Sequence, residues 1–132
     1  MDIVAEAKYI KVSPRKVRPV AQAVKKLSPA IAIAHLAVMS RRAAKPVAAV
    51  LKSAVANATK NAKLSEDSLR IKLIVVDGGP ALKRWRPVSR GRAHAYKKRM
   101  SHIRVVLTDE GLSKSESDIK GKEIREADGT KS

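Results

Sequence analysis

The chain has 132 residues and a formal net charge of +17, with 29 Lys and Arg against 12 Asp and Glu. It contains no cysteine, which excludes disulfides and thiolate metal sites. Its N-terminus lacks the basic-then-apolar layout of a signal peptide, and no apolar run approaches the roughly 20 residues that span a bilayer. We therefore expect a soluble cytoplasmic protein that meets no membrane, with a single domain over residues 1–108.

The segment up to residue 62 predicts one strand followed by three helices. Residues 3–12 alternate apolar and polar side chains, which is typical of a strand. Ser13-Pro14 and Ser28-Pro29 are helix start signals, because Ser caps a helix and Pro in the first turn loses no needed hydrogen bond. The predicted helices cover 14–26, 29–39 and 41–62.

Apolar side chains recur at helical spacing in all three predicted helices, so each helix has one face directed at a core. Pro19 lies inside the first helix and removes one hydrogen bond, so we expect a kink there. The predicted inner faces are Val17, Val20, Ala21 and Val24, then Ile31, Ile33, Leu36 and Met39, then Val47, Val50, Leu51, Ala54, Val55 and Ala58.

The segment from residue 65 to 108 predicts a polar turn and two strands joined by a protruding hairpin. Residues 69–76 and 103–107 have strand patterns, whereas the stretch of about 25 residues between them has no core pattern. The economical interpretation is that both strands extend outward as a hairpin over about 77–102, with arms that reach about 40 Å. Such a hairpin cannot bury its side chains against its own domain, so a partner must order it.

Charges of opposite sign are separated along this chain. No Asp or Glu occurs at 7–65 or at 78–108, and the second stretch holds nine basic residues. A surface of one sign repels itself unless a dense negative partner neutralises it. Six of the nine are Arg, whose planar fork suits phosphate and stacks on bases. The pattern predicts nucleic-acid binding, and the lack of major-groove modules favours folded RNA over DNA.

The sequence does not indicate catalytic or metal-binding chemistry. Ser13 and Lys16 fit the Ser-x-x-Lys spacing of some acyl-transferring enzymes, but the companion motifs are missing and Pro14 explains the pattern as a helix start. The three histidines have no ligand cluster around them, and most carboxylates lie in the tail. We expect no enzyme, no catalytic residue, no metal and no cofactor.

Two hairpin residues, Trp85 and His102, have predicted roles other than charge neutralisation. Trp85 lies among Lys83, Arg84 and Arg86, and on a hairpin without a core it is predicted to stack on a base or sugar. His102, at a strand start, is either structural or in contact with a phosphate. The sequence does not separate these alternatives.

Several motifs of the hairpin and the body resemble one family. They are Gly79-Pro80, Lys83-Arg84, Pro87, Gly91-Arg92-Ala93, Lys98-Arg99 and Ser101-His102-Ile103, and upstream Val12-Ser13-Pro14-Arg15-Lys16-Val17-Arg18 and Ser53-Ala54-Val55-Ala56-Asn57-Ala58. Their order and spacing resemble the bacterial form of large-subunit ribosomal protein twenty-two, over about residues 3–108.

This resemblance implies an α+β fold, with three helices packed on a small three-stranded antiparallel sheet and a long protruding β-hairpin. It implies a structural constituent of the large ribosomal subunit that binds 23S rRNA and assists subunit assembly. The hairpin tip is then expected to line the nascent-polypeptide exit tunnel. The expected partners are 23S rRNA, neighbouring large-subunit ribosomal proteins and the nascent chain, without a homo-oligomer.

The residues expected to bind rRNA lie in the body and on both hairpin arms. They are Lys8, Lys11, Ser13, Arg15, Lys16, Arg18, Arg41, Arg42, Lys83, Arg84, Trp85, Arg86, Arg90, Gly91, Arg92, Lys97, Lys98, Arg99 and His102. Those expected at or near the tunnel tip are Lys83, Arg84, Arg90, Gly91 and Arg92.

The chain departs from the family pattern at some positions. Trp85 replaces a smaller apolar side chain, Val88-Ser89 stands where Arg-Ala is usual, and Pro19 replaces a helix-friendly residue. Residues 109–132 hold 5 Lys and Arg against 7 Asp and Glu, a net charge of −2, and have little apolar content, so we expect a disordered tail.

A second class of protein stays open at this point. A free nucleic-acid chaperone or a DNA-compacting protein would also be basic and rich in Ala. Such a protein needs broad cationic surfaces or tails, whereas here the hairpin is basic and the tail is acidic.

Overall fold

The computed structural model describes residues 1–109, so the disordered tail predicted for 109–132 lies outside the described residues except for Asp109. The described chain contains three strands, three α-helices and two short 3-10 turns. In chain order they are β1 (Asp2–Ile10), α1 (Pro14–Val24), α2 (Pro29–Val38), α3 (Ala44–Lys60), a 3-10 turn (Glu66–Ser68), β2 (Arg70–Pro87), a second 3-10 turn (Ser89–Gly91) and β3 (Ala93–Thr108).

The three strands form one antiparallel sheet in the order β1-β3-β2. α3 packs over β1 and β3, α1 packs over β2, and α2 packs mainly on α3. Alternate residues of β3 (Ser101, Ile103, Val105 and Leu107) are fully buried on the helix side. The predicted α+β fold, with three helices, a three-stranded antiparallel sheet and a long hairpin, is confirmed.

Helix α1 starts and packs as the sequence predicts. Ser13 has extended backbone, with φ −66° and ψ 145°, and its carbonyl accepts hydrogen bonds from the N–H groups of Lys16 and Val17. The helix continues through the exposed Pro19, where the expected kink stays a prediction. The buried side chains are the four predicted ones, Val17, Val20, Ala21 and Val24.

Helix α2 turns a different face to the core from the predicted one. Its buried residues are Pro29, Ala32 and Leu36, whereas Ile31 is 59% exposed. The prediction that Ile31 faces the core is therefore wrong. Every residue of α2 except His35 is apolar, so hydrophobic spacing gives no direction to this helix.

Helix α3 starts three residues later than predicted, at Ala44. Arg41 and Arg42 precede it in a turn, in which the Ala44 N–H donates to the Arg41 carbonyl. The predicted inner face is confirmed at five positions, while Val55 is only half-buried. Buried Ala43 and Ala44 anchor the turn, which fixes where the two arginines emerge.

The hairpin (residues 77–102) consists of the outer ends of β2 and β3. The two arms pair from Ala81–Arg99 to Pro87–Ala93 without interruption, beyond an irregularity between Gly78 and Ala81. Nearly every residue from 80 to 99 is exposed. The predicted stretch without a core pattern is thus regular antiparallel strand that leaves the body.

At the base of the hairpin, glycine is favoured at residue 79 by the close approach of the neighbouring strand and not by an unusual backbone conformation. A Cβ on Gly79 would lie 3.2 Å from His102 Cε1 and 3.3 Å from the Met100 carbonyl carbon, so the neighbouring strand would have to shift by a few tenths of an ångström to admit a side chain. Neither Gly78 nor Gly79 has a positive φ. At the far end, Arg90 (φ 60°) and Gly91 (φ 67°) are both left-handed and reverse the chain, and the Val88 N–H donates to the Arg92 carbonyl.

Candidate nucleic-acid interface

A cationic groove of about 860 Å³ opens on the helix side of the molecule, at the base of the hairpin. Three separate segments build it: the end of β1 with the start of α1, the turn before α3, and the returning arm of the hairpin. Its lining residues are Lys11, Val12, Ser13, Arg15, Lys16, Pro19, Arg41, Arg42, Ala43, Lys97 and Arg99. Seven of them are Lys or Arg, and within residues 1–109 no acidic side chain lines the groove.

The sheet and the helices bring these cations together from distant parts of the chain. Lys97 and Arg99 lie on the same side of β3 as buried Ser101, which is the side that the helices cover. The hydroxyl of Ser101 is buried without a hydrogen-bond partner at this end of the core. Lys97 and Arg99 continue this row of side chains beyond the buried core. Their charged ends therefore line the groove together with the start of α1.

The N-terminus of α1 adds its own positive field to the groove. Ser13 caps the helix by backbone geometry but makes no side-chain hydrogen bond to it, and both Ser13 and Arg15 line the groove. The first turn of α1 contains no acidic residue. Unpaired backbone N–H groups and the helix dipole favour an anion at such a position.

The cross-strand register gives the hairpin two faces of different character. The groove face carries Ala81, Lys83, Trp85, Pro87, Ala93, Ala95, Lys97 and Arg99. The opposite face carries Leu82, Arg84, Arg86, His94, Tyr96 and Lys98. The groove face is therefore cationic near the body and apolar near the turn, while the outer half of the opposite face is cationic.

Tyr96 is a residue of the opposite face that the sequence analysis missed. The Arg86 guanidinium lies 5.3 Å from the centre of the Tyr96 ring, in a cation–π contact that orients the arginine. Arg84 Nη1 donates to its neighbour's carbonyl, at Lys83, over 2.9 Å. The sequence alone does not indicate that Tyr96 lies beside these arginines. Only the cross-strand register shows it, because it places Arg84 and Tyr96 opposite each other.

The residues predicted for the tunnel tip occupy two places. Arg90 and Gly91 form the left-handed turn itself, and Arg92 follows it. Lys83 and Arg84 lie on the paired arm, opposite Lys97 and Tyr96.

Three predicted residues of the body and the hairpin base lie apart from the groove. Arg18 Nη2 donates to the Val76 carbonyl over 3.4 Å, at the free edge of β2. Lys8 is exposed at a bulge of β1, where Tyr9 adopts φ 59°. His102 supports this bulge, because its Nδ1 accepts the Tyr9 N–H over 3.0 Å and the two rings meet edge to face at 5.1 Å.

The acidic residues of the sheet lie on the face away from the helices. Asp2 pairs with Lys72 at 2.6 Å and Glu6 with Arg104 at 3.4 Å, while Asp109 pairs with the N-terminal ammonium at 2.6 Å. Hydrogen bonds from Lys72 and from the N-terminal ammonium hold the pKa of Asp2 and of Asp109, respectively, below the ordinary value. The two sides of the sheet therefore differ in charge.

The described part of the chain contains no group of three or more His, Cys, Asp and Glu that could hold a metal ion. Within the same residues, no helix is long and apolar enough to cross a membrane.

The fold and the groove define a small α+β protein with a protruding basic hairpin. A family model described as "Ribosomal protein L22p/L17e" matches residues 5–108. The chain belongs to this family of large-subunit ribosomal proteins, so the resemblance inferred from the motifs is confirmed.

Curated relatives agree with the family assignment over at least four fifths of their length. The "Large ribosomal subunit protein uL22" of Mesoplasma florum is 44% identical over 112 residues, covering 85% of this chain and 100% of the relative. The protein of the same name from Pelotomaculum thermopropionicum is 47% identical over 111 residues, covering 83% and 96%. That of Deinococcus radiodurans is 46% identical over 107 residues, covering 81% and 80%.

Proposed function

We propose that this chain is a structural, non-catalytic constituent of the large ribosomal subunit in the cytoplasm, and that it binds 23S rRNA through the cationic groove and the hairpin. The observation that carries the proposal is the convergence of seven Lys and Arg from three segments on one acid-free groove. In the absence of a polyanion these charges repel one another, and a phosphate backbone removes that repulsion.

The groove suits a sugar–phosphate backbone that passes between the body and the hairpin. Arg15, Arg41 and Arg42 each carry a planar guanidinium that can donate two parallel hydrogen bonds to phosphate oxygens. The N-terminus of α1 adds a fixed dipole that favours an anion. Release of condensed counterions then drives binding. In this proposal the groove fixes the body, and the hairpin extends the contact into the subunit.

The remaining predicted contacts follow the two hairpin faces. On the opposite face, Arg84, Arg86 and Lys98 contact phosphates, and Arg92 does so beside the turn. Lys8 contacts rRNA at the β1 edge of the sheet and Arg18 at the β2 edge, while His102 of the central strand uses the nitrogen that Tyr9 leaves free. Arg90, Gly91 and Arg92 line the exit tunnel and meet the nascent chain, and neighbouring large-subunit proteins are the other partners.

A free chaperone or DNA-compacting protein is less well supported. The outer sheet face carries acidic residues in ion pairs, whereas a compactor needs broad cationic surfaces. Membership of the ribosomal family argues against it as well.

The salt dependence of RNA binding tests the role of the groove. We expect a triple variant, Arg15→Ala, Arg41→Ala and Arg42→Ala, to reduce the slope of log K against log [salt] by about 2, because each phosphate contact contributes about 0.7. The matched control is Lys26→Ala, Lys52→Ala and Lys60→Ala, which removes the same charge from exposed positions outside the groove. Equal slopes for the two variants would contradict the proposal.

Co-sedimentation tests the partner. The purified chain is expected to sediment with large subunits and to leave them only in high salt. Recovery on chromosomal DNA in place of large subunits would favour the compacting protein.

A further inference from the structure

Two lysines face each other directly on the groove face of the hairpin. Lys83 and Lys97 are cross-strand partners, and both are exposed. Like charges in opposite positions destabilise an antiparallel pair. Residues 78–108 contain no Asp or Glu, so no acidic side chain from this stretch lies between them. An anion bound to both ammonium groups would remove the repulsion.

The next position on the same face is an open aromatic surface. Trp85 is 70% exposed and pairs with Ala95, and Ala93 and Pro87 form the following pair toward the turn. Because these neighbours are small, no long side chain opposite Trp85 covers the indole. Tyr96 differs, because Arg86 lies over its ring.

The spacing of these two features matches one nucleotide. Successive residues on one face of a strand are about 7 Å apart, so the lysine pair and the indole are separated by about the distance between a phosphate and its own base. We propose that Lys83, Lys97 and Trp85 form a binding site for a single unpaired nucleotide, with its phosphate between the lysines and its base stacked on Trp85. This inference rests on the proposed function.

The chemistry of the site requires a base that has left its helix. Stacking on the indole uses the flat face of the base, which neighbouring pairs cover in a duplex. An acidic peptide would satisfy the lysines but offers nothing to stack on the indole unless it also carries an aromatic ring. The site therefore favours an unpaired nucleotide in folded rRNA.

Trp85 is the chain's one tryptophan, so its fluorescence reports directly on this site. We expect a short unstructured RNA strand to quench the emission of the full chain in low salt. The duplex of the same sequence should bind, as measured by anisotropy of labelled RNA, without comparable quenching.

Variants separate stacking from general attraction. Lys83→Ala with Lys97→Ala should raise the strand concentration for half-maximal quenching several-fold, whereas the charge-matched Lys26→Ala with Lys52→Ala should not. Trp85→Leu should weaken binding of the strand about tenfold more than binding of the duplex. Circular dichroism verifies that each variant keeps its fold.

The outcomes distinguish the site from the function on which it rests. Binding of the strand without quenching, equal quenching by the duplex, or equal quenching by an acidic peptide overturns the nucleotide site and leaves rRNA binding standing. Failure of both RNAs to bind the wild-type chain contradicts the proposed function itself.

Discussion

His102 holds the point at which β1 leaves the regular ladder. Lys8 and Tyr9 together oppose His102, so the Tyr9 N–H cannot reach a partner carbonyl and donates to His102 Nδ1 instead. Because Nδ1 accepts this bond, Nε2 is the ring nitrogen that can donate to another group. His102 therefore has the structural role that the sequence left open. The contact with a phosphate stays a prediction, and Nε2 is the atom that would make it.

Removing the imidazole tests this support. We expect His102→Ala to lower the free energy of unfolding by about 1 kcal/mol, because the Tyr9 N–H loses its acceptor. His102→Asn, whose side-chain oxygen can accept the same bond, should restore part of the loss. Urea denaturation measures the change and hydrogen exchange of the Tyr9 amide locates it; an unchanged exchange rate in His102→Ala would show that the bond is unimportant.

The two glycines at the base of the hairpin provide a matched pair at the scale of an element. A Cβ on Gly78 would make an ordinary contact with Pro14 Cγ at 3.8 Å, whereas one on Gly79 would press on Met100 and His102. We expect Gly78→Ala to be neutral or slightly stabilising, because Ala loses less backbone freedom on folding. Gly79→Ala should cost about 1–3 kcal/mol through overpacking. Equal thermal shifts for the two would show that close approach is not the reason for Gly79.

Helix α2 carries an apolar face that its own fold does not cover. Ile31 is 59% and Val38 87% exposed, whereas Leu36 is buried. We expect Ile31→Glu to keep or slightly raise the melting temperature, because a carboxylate in the first turn favours the helix dipole. Leu36→Ala should cost about 2–5 kcal/mol. A loss with Ile31→Glu as large as that with Leu36→Ala would contradict the observed orientation of α2.

The sequence predicts those elements whose signals are local. The Ser13-Pro14 start and the spacing of Val17, Val20 and Val24 define α1, since all of these signals lie within the helix itself or directly before it. For α2 the sequence does not predict which face is buried, because an almost wholly apolar helix has no polar face to mark the solvent side. The start of α3 was predicted three residues too early, because burial of Ala43 and Ala44, which is not a local signal, determines where the preceding turn ends.

At the scale of the whole molecule, the cations were predicted individually but not as one groove. Lys11, Arg41 and Arg99 are far apart in sequence, and only the sheet register and the packing of α1 and α3 bring them to one place. The hairpin was predictable, because a long stretch without a core pattern cannot be buried. The composition of its two faces was not predictable from the sequence, since it depends on which residues pair across the strands.

The hairpin should be separable from the body. Every buried apolar residue of the described chain lies at or before Val76 or at or after Ile103. We expect that replacing residues 82–98 by a two-residue Asn-Gly turn between the partners Ala81 and Arg99 leaves cooperative unfolding intact. Loss of the cooperative transition would show that the hairpin contributes to the core.

A cryo-EM map of large subunits that contain this chain would show whether rRNA occupies the groove. We expect rRNA phosphates against Arg15, Arg41, Arg42 and Arg99, and rRNA against both faces of the hairpin. A map in which the groove is open to solvent, with rRNA only on the sheet face that carries Asp2 and Glu6, would contradict this expectation.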